Sequence, residues 1–340
     1  MIEKYFKNEL TVKRWRRFKA RKSAVIASVA LIFCTVLTFS APLIANSKPL
    51  VMQYKGNMFF PIFNDYHPKE FGITTSLTVD YRKITENSNE LVIWPLIKWD
   101  PYESNDSLDY YPAPPSEENV LGTDDRGRDV LTRLLYGFKY SITYAVLVWL
   151  FSAIIGIIIG GIMGFKGGLF DILGQRLVEI FSTIPYFFLL LILVSIFQPS
   201  LTLLIIITSL FSWVGISYYA RAEFLKNRKQ EYVEAARSMG ASVPTILFKH
   251  ILPNSLTPII TFAPFVIAGA ISSLASLDYL GFGLPVPTPS WGELLAQAQK
   301  NYTIAWWLAV YPSIALFSTL FMFVLVGEGV RNAMDPKAQA

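Results

Sequence analysis

IFSTIPYFFLLLILVSIFQPSLTLLIIITSLFSWVGISYYA, residues 180–220, runs for 41 positions without Asp, Glu, Lys or Arg. As one straight helix it would be about 60 Å long at 1.5 Å per residue, roughly double the hydrocarbon thickness of a bilayer. Gln198, Pro199 and Ser200 interrupt it, so the stretch predicts two membrane spans, 180–197 and 201–220, joined by a tight turn. Four further charge-free runs occupy 23–47, 140–165, 251–277 and 301–327. Each exceeds the roughly 20 residues that a span requires. The expected spans are therefore 23–45, 140–165, 180–197, 201–220, 255–277 and 304–327. A hydrophobic share of 53% and a mean hydropathy of +0.40 agree with a polytopic, all-α membrane protein of six transmembrane helices.

Basic residues set the expected orientation. Residues 1–22 hold nine Lys or Arg (Lys4, Lys7, Lys13, Arg14, Arg16, Arg17, Lys19, Arg21, Lys22), and such clusters beside a first span stay in the cytoplasm. An even number of spans puts the C-terminus on the same side. Parity also places the loop 221–250 there, and its Arg221, Lys226, Arg228, Lys229, Arg237 and Lys249 agree independently. The segment 46–137, with 14 acidic and nine basic residues, falls outside. The first span is expected to remain uncleaved, because 25 uncharged residues exceed the apolar core of a signal peptide. The net charge of +5 is accounted for by these flanks next to anionic lipid and does not call for nucleic acid.

Several chemistries are excluded. Cys34 is the one cysteine, and His67 and His250 are the two histidines, so the clusters of a zinc or haem site are absent and no cofactor or metal is expected on the chain. No GxxxxGK[ST] loop occurs, so the chain cannot be its own P-loop ATPase. A secondary transporter would need ionisable residues near the midplane, and the runs contain none. Neither do they supply the nucleophile and base of an intramembrane enzyme.

Between the first two spans, residues 46–120 are too long for a simple connection and predict a small extracytoplasmic α/β or β module. Alternation in LVMQYKGNMFFPIF, 50–63, with Lys55, Gly56 and Asn57 at the turn, reads as a β-hairpin, and LVIWPLIKW, 91–99, as a further strand. YYPAPP, 110–115, reads as a stiff exit. Next, LGTDDRGRDVLTRLLYGFKYS, 121–141, suits an interfacial helix capped by Asp124. After the fifth span, SLDYLGFGLPVPTPSWGELLAQ, 276–297, is rich in Gly and Pro, and Ser290 can cap a helix starting at Trp291.

The loop EYVEAARSMGASVPTILFKHILPN, 231–254, is a small polar segment between apolar runs. Glu231, Glu234, Ala235 and Ala236 favour a helix, and Gly240 can end it in the left-handed conformation. A second short helix can begin at Ser242, with Pro253 limiting it. On its own such a helix could equally lie on lipid, but its polar face is mixed in sign and not basic.

This loop resembles the EAA loop of ABC importer permeases. Glu234, Ala235, Ala236, Gly240, Leu252 and Pro253 fill that pattern, with Glu231 as the acid kept four residues before the alanines in the peptide branch. The blocks 121–137 and 276–295 resemble those of the dipeptide and oligopeptide permeases of the C type. The resemblance covers roughly residues 120–337. The extra outside module, KPLVMQYKGNMFFPIF and the closing DPKA at 335–338 are most similar to the permease of microcin C and oligopeptide importers.

The resemblance implies the type I ABC importer permease fold, with a basic tail over 1–22 and a permease core over 121–340. It also implies a bacterial inner-membrane location and import of peptides or peptide-like compounds. Another cargo, such as nickel, is the alternative. Implied partners are a second permease subunit, two ATPase subunits that hold ATP and Mg, and an extracytoplasmic substrate-binding protein. Glu231, Glu234, Ala235, Ala236, Gly240 and Pro253 would contact the ATPase, and Asp278 would line an outer gate.

Overall fold

The computed structural model describes residues 9–74, 77–86 and 90–335. Lys4 and Lys7 of the basic tail, and the end of the DPKA close, lie outside these. In chain order the principal elements are α1 (Glu9–Ala20), α2 (Lys22–Phe39), β1 (Val51–Tyr54), β2 (Asn57–Phe59), β3 (Val92–Ile93) and α3 (Val130–Lys166). Then follow α4 (Gly168–Thr183), α5 (Tyr186–Ile196), α6 (Leu201–Asn227), α7 (Glu231–Ser238), α8 (Leu252–Tyr279), α9 (Trp291–Lys300) and α10 (Trp306–Met334). Lys22–Phe39, Val130–Lys166, Leu201–Asn227, Val243–Tyr279 and Trp306–Met334 are long and apolar enough to cross a membrane. The pair α4 and α5, bent by 68°, makes a sixth span when counted as one.

Three local readings need correction. The span expected over 180–197 is not a straight helix: it breaks at Ile184 and Pro185, where Ile184 turns extended at ψ 121°. Proline offers no N–H and pushes its predecessor out of the helical region, a signal that apolarity alone does not carry. The interfacial helix expected ahead of 140 is the beginning of α3 itself, a rod of 37 residues. Its cap is Asp129, whose Oδ1 accepts from Thr132 N at 2.7 Å, and not Asp124. Finally, Pro253 does not stop a helix. Ile246–Ile251 form a π turn in which Leu252 N–H reaches Leu247 O. This wider turn lets the chain run on past the proline, whose ring would otherwise meet a carbonyl one turn back.

The chain forms two compact units. The first comprises Met1–Leu31, Ile142–Leu277 and Phe317–Ala340. Its interior is organised by a close approach of α3 to α6. Gly156, Gly160 and Gly164 recur every fourth residue along α3, and a Cβ at Gly156 would meet Trp213 O at 2.8 Å, one at Gly164 Arg221 O at 2.6 Å, and one at Gly160 would run into Ser217 O. Small residues at this spacing let helix backbones touch where lipid supplies no hydrophobic drive. Ala153, Ile216, Ala220 and Ile259 fill in around the contact. Tyr144 of α3 and Tyr186 of α5 both bond Thr208 of α6, at 2.8 and 2.6 Å.

The second unit comprises Ile32–Ser141 and Asp278–Leu316, more than the expected module. Its sheet has the order β2-β1-β3 and is antiparallel, with Tyr54 opposite Asn57 and Val51 opposite Ile93. The hairpin turn is Lys55–Gly56, both at positive φ (50° and 79°), as two-residue hairpins require. Met52, Phe71 and Tyr81 form the module's buried centre. Trp99 is stacked under Arg82 at 4.0 Å and donates its indole N–H to Glu118 O.

Candidate functional site

Helix α7 is eight residues long, and so short a helix is unstable by itself. Tertiary packing holds it. Val233 and Ala236 are buried and join Phe224, Ile246 and Ile251 in one apolar cluster. Fully burying a Val side chain contributes about 1.5 kcal/mol. Residues 231, 234, 235 and 238 share the opposite face by their spacing, and all four are exposed. Ala235 is therefore on the outer face, whereas Ala236 packs inward.

The helix ends in a double-bonded cap. Ala241 N donates to Ala236 O and Gly240 N to Arg237 O, both at 3.0 Å, with Gly240 at φ 78°. This is the arrangement that glycine adopts at least cost. Met239, 81% exposed, stands at the tip. At the other end Tyr232 Oη donates to Asn227 Oδ1 at 3.0 Å, and Asn227 Nδ2 donates to Ser255 Oγ at 3.1 Å. The loop is thus pinned to the end of α6 and the start of α8. Pro253, also expected at this site, is exposed in the first turn of α8.

The second unit contains a buried ion quartet that sequence reasoning missed. Arg128 Nε donates to Asp124 Oδ2 at 2.7 Å and its Nη2 to Glu293 Oε1 at 3.1 Å. Arg133 pairs with Asp124 at 3.3 Å and with Glu293, and its Nη1 donates to Pro101 O at 2.9 Å. Side-chain exposure is 2% or less for Asp124, Arg128 and Arg133, and 15% for Glu293. Burial alone would lower the Arg128 pKa, but the charges of Asp124 and Glu293 outweigh it and raise the value. Burial also pushes the neighbouring Asp129 carboxyl up, against the pull of Asn119 and Thr132. Gln297 joins the group, accepting from Asp125 N and donating to Glu293 Oε1. The blocks 121–137 and 276–297, far apart in sequence, are therefore one structural element.

Asp278, expected at an outer gate, is buried in the last turn of α8 against the loop that follows it. Its Oδ1 accepts from Leu284 N at 2.6 Å and its Oδ2 from Ser290 Oγ at 2.5 Å. Ser290 in turn caps α9, as expected.

Comparison with known proteins agrees with this architecture. The family described as binding-protein-dependent transport system inner membrane component matches residues 156–339, and the N-terminal TM domain of oligopeptide transport permease C matches residues 10–68. The inner membrane ABC transporter permease protein YejE of Escherichia coli (strain K12) is 37% identical over 329 residues, covering 95% of this chain and 96% of the relative. The peptidoglycan transport system permease protein YejE of Agrobacterium fabrum is 36% identical over 356 residues, covering 96% of this chain and 93% of the relative. The oligopeptide transport system permease protein OppC of Bacillus subtilis is 34% identical over 224 residues, covering 66% of this chain and 73% of the relative. With five or six apolar spans among the described residues, an exposed short helix on the end of α6 and these matches, the chain belongs to the inner-membrane permeases of binding-protein-dependent ABC importers.

Proposed function

We propose that this permease carries peptides or peptide-like compounds and that α7 is its contact with a separate ATPase. The observation that carries the reading is the division of α7 into two faces. Val233 and Ala236 anchor it, while Glu231, Glu234 and Ala235 stand free on a rigid mount. Ala235 allows close backbone approach, and the two carboxylates can meet basic groups on the partner. The relatives' names, which include oligopeptide and peptidoglycan transport, support the cargo class.

In this reading the chain is non-catalytic and binds no cofactor. ATP and Mg sit on two ATPase subunits, a second permease completes the pathway, and a binding protein delivers cargo from outside. ATP closes the ATPase pair, α7 follows, and the bundle alternates between inward and outward openings. A ligand shifts such an equilibrium only by its differential affinity for the two states.

Gly240→Asp tests the contact. A Cβ at Gly240 meets nothing within 4 Å, so the penalty is a left-handed non-glycine backbone of about 1–2 kcal/mol plus a new charge at the docking tip. Membrane levels should stay normal while uptake falls about tenfold, the loss that ~1.4 kcal/mol of weakened docking produces. Normal uptake with normal substrate-stimulated ATP hydrolysis would refute the contact.

Both termini are assigned to the cytoplasm. With Cys34→Ser as background, a cysteine replacing Phe63 should react with an impermeant maleimide from outside. One replacing Met239 should react only after the membrane is opened. The reverse pattern would invert the topology.

A further inference from the structure

Asp171 lies in the first turn of α4 and Arg221 in the last two turns of α6. Arg221 Nε donates to Asp171 Oδ1 at 2.5 Å and Nη2 to Oδ2 at 2.8 Å. The side chains are 26% and 16% exposed, so this two-point pair is partly shielded from solvent and has fixed geometry. Seven residues on, Arg228 Nη1 donates to Phe165 O at 3.0 Å, a carbonyl at the negative end of α3. The same guanidinium occupies the space where a Gly167 Cβ would stand. Gly167 and Gly168, at φ 66° and 55°, form the elbow between α3 and α4.

The two arginines therefore grip both sides of one elbow, and both sit on the segment that leads into α7. Arg228 ends α6 and Gln230 caps α7. Little slack remains between them. On the far side α4 leads to the 68° bend and then to α5. Apolar packing of Val178 and Phe181 on Trp213 and Met163 also joins α4 to its neighbours, but such contacts are non-directional and permit sliding. The ion pair is the directional, charged contact between α4 and α6, and with Gln175 beside it on Arg221 it fixes where along α6 the start of α4 sits.

We propose that Asp171 and Arg221 are positioning residues for ATP-driven transport, and that their pair makes the bent α4–α5 span follow α7. This rests on the reading of α7 as the ATPase contact. Without the pair, α7 would move and the glycine elbow would absorb the motion.

The test uses the full transporter in proteoliposomes, with Cys34→Ser in this chain and spin labels at Met239→Cys on α7 or Phe188→Cys on α5. Both positions are exposed. Trapping with ATP and vanadate should change both label spectra in the parent. In Asp171→Asn the α7 response should persist and the α5 response fall at least about fivefold, within the range that contacting residues couple. Asp171→Glu should recover it. An undiminished α5 response in Asp171→Asn overturns the proposal, and so does loss of both responses together. Failure of Asp171→Asn to assemble makes the pair a stability element and equally overturns it. A parent whose α7 label ignores ATP refutes the ATPase-contact reading instead.

Discussion

Gly160→Ala should destabilise the detergent-purified subunit by about 1–3 kcal/mol, the cost of overpacking a close contact, whereas Gly215→Ala should not. Both are glycines inside spanning helices, and alanine is intrinsically the better helix former by about 1 kcal/mol. They differ in what the added methyl meets. At Gly160 it strikes the Ser217 carbonyl and Ala220 of α6, and at Gly215 it meets nothing within 4 Å. Backbone cannot rotate aside as a side chain can, so α3 and α6 must separate along the whole stripe. Thermal unfolding in micelles gives the comparison directly. Equal midpoints for the two variants would mean that the helices do not meet through this face.

Glu293→Ala should cost more, about 3–5 kcal/mol, as expected when one member of a buried charge group is removed. Asp124, Arg128, Arg133 and Glu293 sum to zero charge, and deleting the glutamate leaves one guanidinium charge uncompensated. Arg133 is fully buried and cannot reach water. The double variant Glu293→Ala with Arg133→Leu restores neutrality, since Arg128 keeps Asp124, and should regain much of the loss. Limited proteolysis of this unit's loops and melting of the purified subunit both read this out. A Glu293→Ala protein as stable as the parent would show that the quartet is open to solvent.

Much of this molecule was legible in its order of residues. The charge-free runs marked most of the spans, and Gly240 announced the end of α7. Other features depend on what tertiary structure brings together. The break before Pro185 hides inside uniformly apolar sequence. The glycines of α3 are plain, but their partner carbonyls on α6 have no side-chain signature. Ala235 and Ala236 look alike on paper, and only the apolar cluster around Val233 tells the outward one from the inward one. The quartet was the least visible, because Asp124 reads as a helix cap and Arg128 and Arg133 show no partner until Glu293, 160 residues beyond Arg133, is set beside them.

That separation has a consequence for biosynthesis. A ribosome that has delivered α3 to the membrane has exposed two arginines, of which Asp124 balances one, while the glutamate that balances the other is not yet made. Until α9 emerges, one guanidinium at the start of α3 lacks its counter-charge. The charge balance of this unit can therefore close only after α9, at residues 291–300, has been synthesised.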